Sequence, residues 1–383
     1  MTQTMQHLQT LVGLGPRPVA SPANQATADY IRETFRTAGL DVEEQPYAAM
    51  AWEHRSTRLE QAGKRLDCTA NSFSLPCDVT ASLIPAASLR ELEAAPAQGK
   101  ILLLYGDLTR APLAAKSWFL RDERDTRFFE LLEAKQPAAV LSPPTSTDYF
   151  GQLTEDWELD LPAATVPADV ALHLLHEPHL PVHLVIDAQR APATARNIVA
   201  RTANMPARRL VLCAHFDTKI NTPGATDNAS GAAALLSLAE RLPRDLPFGL
   251  EFIAFNSEEY LPIGDDEYIR RSTDYFGQIL ACINMDGAGA TLGTNNVTAI
   301  SCSPELETTL KSVVEIFPGV VWVDPWPESN HSTFSFRGIP AIPIGSTGMR
   351  GLAHSVDDSL DQVSSAKMEE VLALVQEVVE IFR

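Results

Sequence analysis

The 383-residue sequence predicts an α/β protein: a mixed, mostly parallel sheet flanked by helices, with an inserted and partly β domain. Three observations predict it. From Asn197 onward, strand-like runs alternate with helical stretches, the rhythm of a largely parallel sheet. Those runs are nearly continuous in apolar residues, as strands covered on both faces are. Between about Ala51 and Pro192 the rhythm changes to short strand-like runs among many prolines. The expected division is therefore 1–50 and 193–383 as one domain, with 51–192 inserted into it. This length fits two or three domains and buries a sizeable core.

Ser21 and Pro22 suit the N-cap and first position of a helix, and Gly39 suits its stop. Between them Ala28, Ile31, Phe35 and Ala38 recur at helical spacing. A strand over 41–47 follows. In the insert, strands are expected at 101–105, 138–141 and 182–186, with a helix at 128–135. Beyond it, strands are expected at 198–203, 210–214, 250–255, 279–284, 297–301 and 341–344. Helices fall at 230–242, 304–317 and 365–382. Met368, Val371, Leu372, Val375, Val379 and Phe382 form one apolar stripe on the last.

Charge and cysteine usage exclude several functions. Thirty Lys and Arg against 49 Asp and Glu give a net charge of −19, which disfavours nucleic acid and anionic membranes as partners. Five cysteines, an odd number without CxxC, make no disulfide scaffold. No basic stretch leads into an apolar one at the start, and no run of 18 apolar residues occurs. A cytoplasmic, reduced protein is the expectation. His173, His176, Glu177 and His179 form a decoy: HEPH falls short of HExxH, and Pro178 breaks the helix that motif needs.

In a parallel sheet, ligands bind beyond the carboxyl ends of the strands. Here those ends lead into His215-Phe216-Asp217, Asn256-Ser257-Glu258-Glu259 and Met285-Asp286. The loop around Asp227 opens a helix, and His354 follows the 341–344 strand. Each feature alone reads as a cap, a turn or a structural histidine. Together they supply two imidazoles and three carboxylates, a donor mixture that suits zinc. Five donors exceed the needs of one tetrahedral ion and fit two metals about 3.5–4 Å apart that share a carboxylate. The expected division places His215, Asp227 and Glu259 on one zinc and Asp227, Asp286 and His354 on the other. Glu258 is left over. It can take a proton from a metal-activated water and pass it to a leaving amine. Asp217 either orients the His215 ring from its second nitrogen or is a turn residue.

The ordered set of His-x-Asp, Asp-Asn-x-Ser-Gly, Glu-Glu, Asn284-Met285-Asp286 and His354 with Asp358 resembles the M28 zinc metallopeptidases. The insert resembles, more faintly, a protease-associated domain, chiefly through 99–106. The resemblance implies a phosphorylase/hydrolase-like fold, two zinc ions, and exopeptidase chemistry that removes N-terminal residues from short peptides. It implies Glu258 as general acid/base, Asp227 as the bridge, and Gly264 as a family glycine. Asn330 stands where the family more often has Asp. His331 beside it is an oxyanion contact or a packing residue. The Asp265–Glu267 cluster is expected to meet the substrate amine, Asp265 first. Three rivals follow: a single-zinc acyltransferase like the glutaminyl cyclases, though Ala353 stands where those have Trp; a carboxypeptidase of acidic dipeptides using Arg337 or Arg350; and a non-catalytic binding scaffold.

Overall fold

Strands apolar on both sides need cover on both sides, and the sheet at the centre of this protein obtains it from helices. The computed structural model describes residues 1–118, 121–145, 151–203, 205–348 and 351–383. The chain divides into two units, Met1–Ala49 with Ala193–Arg383, and Met50–Pro192.

In the first unit four parallel strands lie in the order Gly249–Phe255, Arg209–His215, Ile279–Met285 and Ala341–Thr347. Every residue of the first two is buried. Thr294–Val297 adds antiparallel to the last strand, and Val320–Trp322 pairs parallel with it at the edge. On the other side Ile198–Arg201 pairs antiparallel with Gly249–Phe255. The sheet is thus mixed, with a parallel centre. From the strand Arg209–His215 the chain first moves to one neighbour, Gly249–Phe255, then returns to the other, Ile279–Met285. That reversal makes the exit of Arg209–His215 the topological switch point, where a crevice opens.

Helix Gly231–Arg241 is buried along nearly its whole length, so its Ala-Ala-Ala-Leu-Leu run packs on all sides. Helix Pro22–Thr37 is capped as its sequence dictates: Ser21 Oγ accepts the Asn24 N–H at 3.1 Å. Helix Ser365–Glu380 buries the expected Met368, Val371, Leu372, Val375 and Val379. Helices Gln3–Gly13 and Ile263–Ser272 had no expectation attached to them.

Three strand expectations change. The strand expected over 41–47 runs on to Gln61. The runs at 182–186 and 198–203 belong to one strand, Val182–Arg201. The run at 297–301 shifts to Thr294–Val297, and beyond it only the Ile300–Ala341 bridge pairs. Asn295 looks like a turn residue but is buried. Its Oδ1 accepts the Gly289 N–H at 3.0 Å and its Nδ2 donates to the Lys367 carbonyl at 3.0 Å, which holds this polar residue inside a strand.

The second unit has its own sheet: parallel strands Leu83–Ala86, Ile101–Leu104, Ala139–Ser142 and Ala163–Thr165, with Thr69–Ala70 antiparallel at one edge. Alternate residues face opposite sides, as the two-residue period of a strand requires. Leu102, Leu104 and Val140 share a core with Phe128, Phe129 and Leu132 of helix Glu123–Lys135. Ile101, Leu103 and Leu141 share another with Val170 and Leu174 of helix Ala168–His176. That helix ends at His176, ahead of Glu177 and Pro178.

Candidate metal centre

The five expected donors converge in the first unit in two overlapping groups. His215, Asp227 and Asp286 form one, and Asp227, Glu259 and His354 the other. Among the described residues these are the groups able to hold a metal, and His173, His176 and His179 contribute to neither. Asp227 belongs to both. Its Oδ1 lies 3.2 Å from His215 Nε2 and its Oδ2 2.9 Å from His354 Nε2.

This corrects the expected division, because Glu259 and Asp286 exchange places. Strand register explains it. Cys213 lies opposite Asn284, so continuing the same register sets His215 beside Asp286, the first residue past its strand. Asp286 Oδ1 is 3.4 Å from His215 Nε2. Glu259 stands four residues past Phe255, far enough along its turn to reach His354 Nε2 at 3.1 Å.

Asp217 shapes that turn. Its two carboxylate oxygens accept the backbone N–H groups of Glu258 and Glu259, each at 3.2 Å. Its Oδ1 also faces His215 Nδ1 at 3.6 Å, outside hydrogen-bond range. Asp217 therefore orients the Glu-Glu pair more directly than the imidazole. Ser257, just before the pair, has φ +71°, a left-handed backbone that non-glycine residues adopt mainly where the surroundings enforce it. Gly264 closes the turn: a Cβ there would lie 2.2 Å from the Asn256 carbonyl and 2.6 Å from Asn197 Oδ1.

Two buried residues complete the frame, Asp358 of the motif set and Arg17, which carried no sequence signal. Asp358, fully buried, accepts the N–H of Thr226 at 2.8 Å, the N–H of Asp227 at 3.0 Å and the Thr226 hydroxyl. It thereby ties the segment that carries His354 to the one that carries Asp227. Arg17, also fully buried, donates to the carbonyls of Phe216 at 3.0 Å and of Pro223 and Gly224 at 2.9 Å each. It braces the chain just after His215 and just before Asp227. Burial pushes its guanidinium down to about 10 despite the nearby carboxylates. Asn228 links the remaining pieces, donating to the Met285 carbonyl at 2.9 Å and accepting the Gly231 N–H at 2.9 Å.

The electrostatics are those of an acid-rich pocket. Burial pushes Asp227 up, but the His215 and His354 imidazoles outweigh it and hold the carboxyl well below its usual range. Burial pulls both histidines down, and the surrounding carboxylates, Asp286 and Glu258 at His215 and Glu259 and Asp227 at His354, raise them well above the ordinary imidazole. Glu258 belongs to neither donor group. Burial first, and then Asp286 and Glu259, raise it well above a normal carboxyl, and its Oε2 lies 3.9 Å from His215 Nε2.

The two expected substrate contacts take other places. Both Asp265 oxygens accept from Asn330 Nδ2, at 3.1 and 3.0 Å, and its Oδ1 also accepts from the Thr333 hydroxyl at 2.5 Å. Burial raises its carboxyl to about 6. His331 is fully buried: Nε2 bonds the Trp326 carbonyl at 2.8 Å, and Nδ1 meets Asn284 Nδ2 at 3.3 Å. With Nε2 donating, Nδ1 accepts, and both ring nitrogens are used. Asp265 and His331 are committed to protein partners, which assigns His331 to packing. Arg337 is exposed and donates to the Thr333 carbonyl, and Arg350 lies outside the described residues.

Beside Asp227 and Asp286 a cleft of about 530 Å³ opens. Its wall includes Asn296, Val323, Asp324, Trp326, Gly345 and Thr347, and among the described lining residues none is Lys, Arg or His.

A mixed sheet with His, Asp and Glu at its exits defines a class that comparison with known proteins places. Residues 197–379 match the model of peptidase family M28. A probable lipoprotein aminopeptidase, LpqL of Mycobacterium tuberculosis, is 26% identical over 286 residues, 69% of this chain and 54% of that protein. An aminopeptidase of Pseudomonas aeruginosa is 26% identical over 313 residues, 76% of this chain and 57% of that one. The chain thus spans little more than half the length of these relatives. BSAP, a zinc aminopeptidase from Bacillus subtilis, shares the fold with a TM-score of 0.80 at 22% identity, over 99% of this chain and 94% of that one. No described helix is long and apolar enough to cross a membrane.

Proposed function

We propose that the chain is a dinuclear zinc aminopeptidase. The observation that carries this reading is Asp227, whose two oxygens face two separate donor groups, each completed by one imidazole and one further carboxylate. The donor set fits zinc chemically, being nitrogen and oxygen donors with three protein ligands per position. The His215 and His354 Nε2 atoms already point at carboxylate oxygens at 2.9–3.4 Å, the region a cation would occupy.

Zinc held there supplies Lewis acidity toward a carbonyl and lowers the pKa of water. The residues of the chain do the rest. Glu258 takes the proton of the attacking water on its carboxylate and returns it to the leaving amine. Asp217 holds the Glu258 N–H, so the base keeps its aim. Asp358 and Arg17 fix the donor segments before substrate arrives, which places the cost of ordering in folding. The insert, with its own sheet and cores, is read as a protease-associated-like domain.

The test is a screen of amino-acyl amides and their N-blocked counterparts, with and without a chelator, alongside metal analysis. Expected are two zinc ions per chain, turnover of free-amine substrates, and its loss on chelation. Equal turnover of blocked substrates, or turnover that survives chelation, overturns the reading. One zinc per chain with cyclisation of glutaminyl peptides establishes the acyltransferase instead.

A further inference from the structure

We infer that the cleft beside Asp227 and Asp286 seats a basic N-terminal side chain, lysine or arginine, with Asp324 as its counter-charge. This rests on the aminopeptidase reading and names the substrate class of the same site. The polar groups of the cleft wall sort into spent and free. Ser346 Oγ accepts the Ala290 N–H and donates to Asn295, and the Thr347 hydroxyl donates to the Thr294 carbonyl. Asp324 is exposed, lines the cleft, and has no hydrogen bond or ion pair among the described residues. Asn296 also lines it, is 6% exposed, and its Oδ1 has no hydrogen-bond partner. A buried amide oxygen without a donor is costly until a ligand supplies one. The free polar groups of the wall are therefore an anion and an amide, with no described cation to neutralise them.

The rest of the wall suits an aliphatic stem. Val323 and Trp326 are half-buried, with apolar surface toward the opening. The His331 ring packs edge-on against the Trp326 indole at 4.5 Å between centroids and holds its carbonyl, so the indole is a fixed wall. An indole face attracts ammonium and guanidinium groups, and long basic side chains bury their methylenes while the head stays polar. Gly345 lines the cleft where the chain passes close to the Asp286 carbonyl, which a Cβ there would meet at 2.6 Å. An acidic side chain would meet Asp324 instead, which argues against the carboxypeptidase alternative.

The experiment compares lysyl, arginyl, norleucyl and glutamyl amides on the zinc-loaded full chain and on Asp324→Asn and Asp324→Lys. The wild type is expected to favour lysyl over the near-isosteric norleucyl amide in kcat/KM. Asp324→Asn should lower that ratio about five- to tenfold, the weight of one partly solvated ion pair. Asp324→Lys should lower it further and raise glutamyl turnover. The wild-type preference should weaken with added salt. Calorimetric binding of lysinamide against norleucinamide gives the same comparison without turnover. A ratio unmoved by both substitutions, or equal binding of the two amides by the wild type, overturns the inference. If norleucyl amide turns over while the ratio ignores Asp324, the aminopeptidase reading stands and only the side-chain assignment falls. Absence of turnover on all four amides sinks the aminopeptidase reading itself.

Discussion

The two units are built by one rule and differ in strand order and at the strand ends. Ile101–Leu104 and Ala139–Ser142 are as buried as Arg209–His215, and parallel strands with helical cover organise both sheets. The second difference lies at the strand ends. In the second unit the strands run out into Tyr105-Gly106-Asp107, Pro143-Pro144 and Val166-Pro167. In the first they run out into His215, Glu258-Glu259 and Asp286. Only the first sheet reverses its strand order to open a crevice, and chemistry arises there because its exits also carry donors. Donors also need anchors. Asp217 and Asp358 supply the first unit with carboxylates that fasten the loops themselves.

Four experiments break or sharpen this comparison. Glu258→Gln makes one exit as inert as those of the second unit, with kcat falling about 10²–10⁴-fold while zinc content stays at two per chain. Turnover within a few-fold of wild type would remove Glu258 as the base. A smaller effect comes from Asp265, an acid buried in the first unit away from the donors. Burial raises it to about 6, against roughly 3.9 unfolded. Its contribution to stability is full below about pH 4 and is lost as pH rises through 6. Asp265→Asn should therefore gain on the order of 2–3 kcal/mol relative to wild type between pH 4 and pH 7, read from urea unfolding. A constant difference across that range would show Asp265 to be unshifted.

Asp217→Asn tests the anchors. With one of its two acceptors replaced by a donor facing an N–H, zinc affinity should drop about 10–100-fold in competition with a chelating dye. Unaltered affinity would mean the Glu-Glu turn holds itself. The smallest effect is expected in the second unit. Asp107 follows its strand as Asp217 does, yet it is exposed and, among the described residues, pairs with exposed Arg110 at 3.4 Å. Asp107→Asn should leave turnover within about twofold and stability within about 0.5 kcal/mol.

How much of this was legible in the sequence follows from what each feature depends on. The fold class was legible because strands apolar at every position announce double cover. The five donors were legible because His215, Glu259 and Asp286 stand at or just past strand ends, Asp227 opens a helix and His354 follows the 341–347 strand. Their pairing was not. It depends on Ile279–Met285 lying beside Arg209–His215 in register, and chain order is silent about spatial neighbours. For Asp265 the expectation rested on closeness in sequence to Glu259, which does not say which way a side chain turns, whereas His331 takes the packing alternative. Arg17 left no trace at all. A lone arginine near the start of a chain reads as surface until five backbone carbonyls close around it.

Asp358 has a consequence for the order in which the molecule can be made. Its carboxylate grips Thr226 across 132 residues of chain. A ribosome delivers His215, Asp227, Glu259 and Asp286 well before it delivers either His354 or this clasp. While residues 287–353 are being added the nascent polypeptide holds four donors on unfastened loops, and the pocket closes only once the segment carrying His354 and Asp358 has emerged.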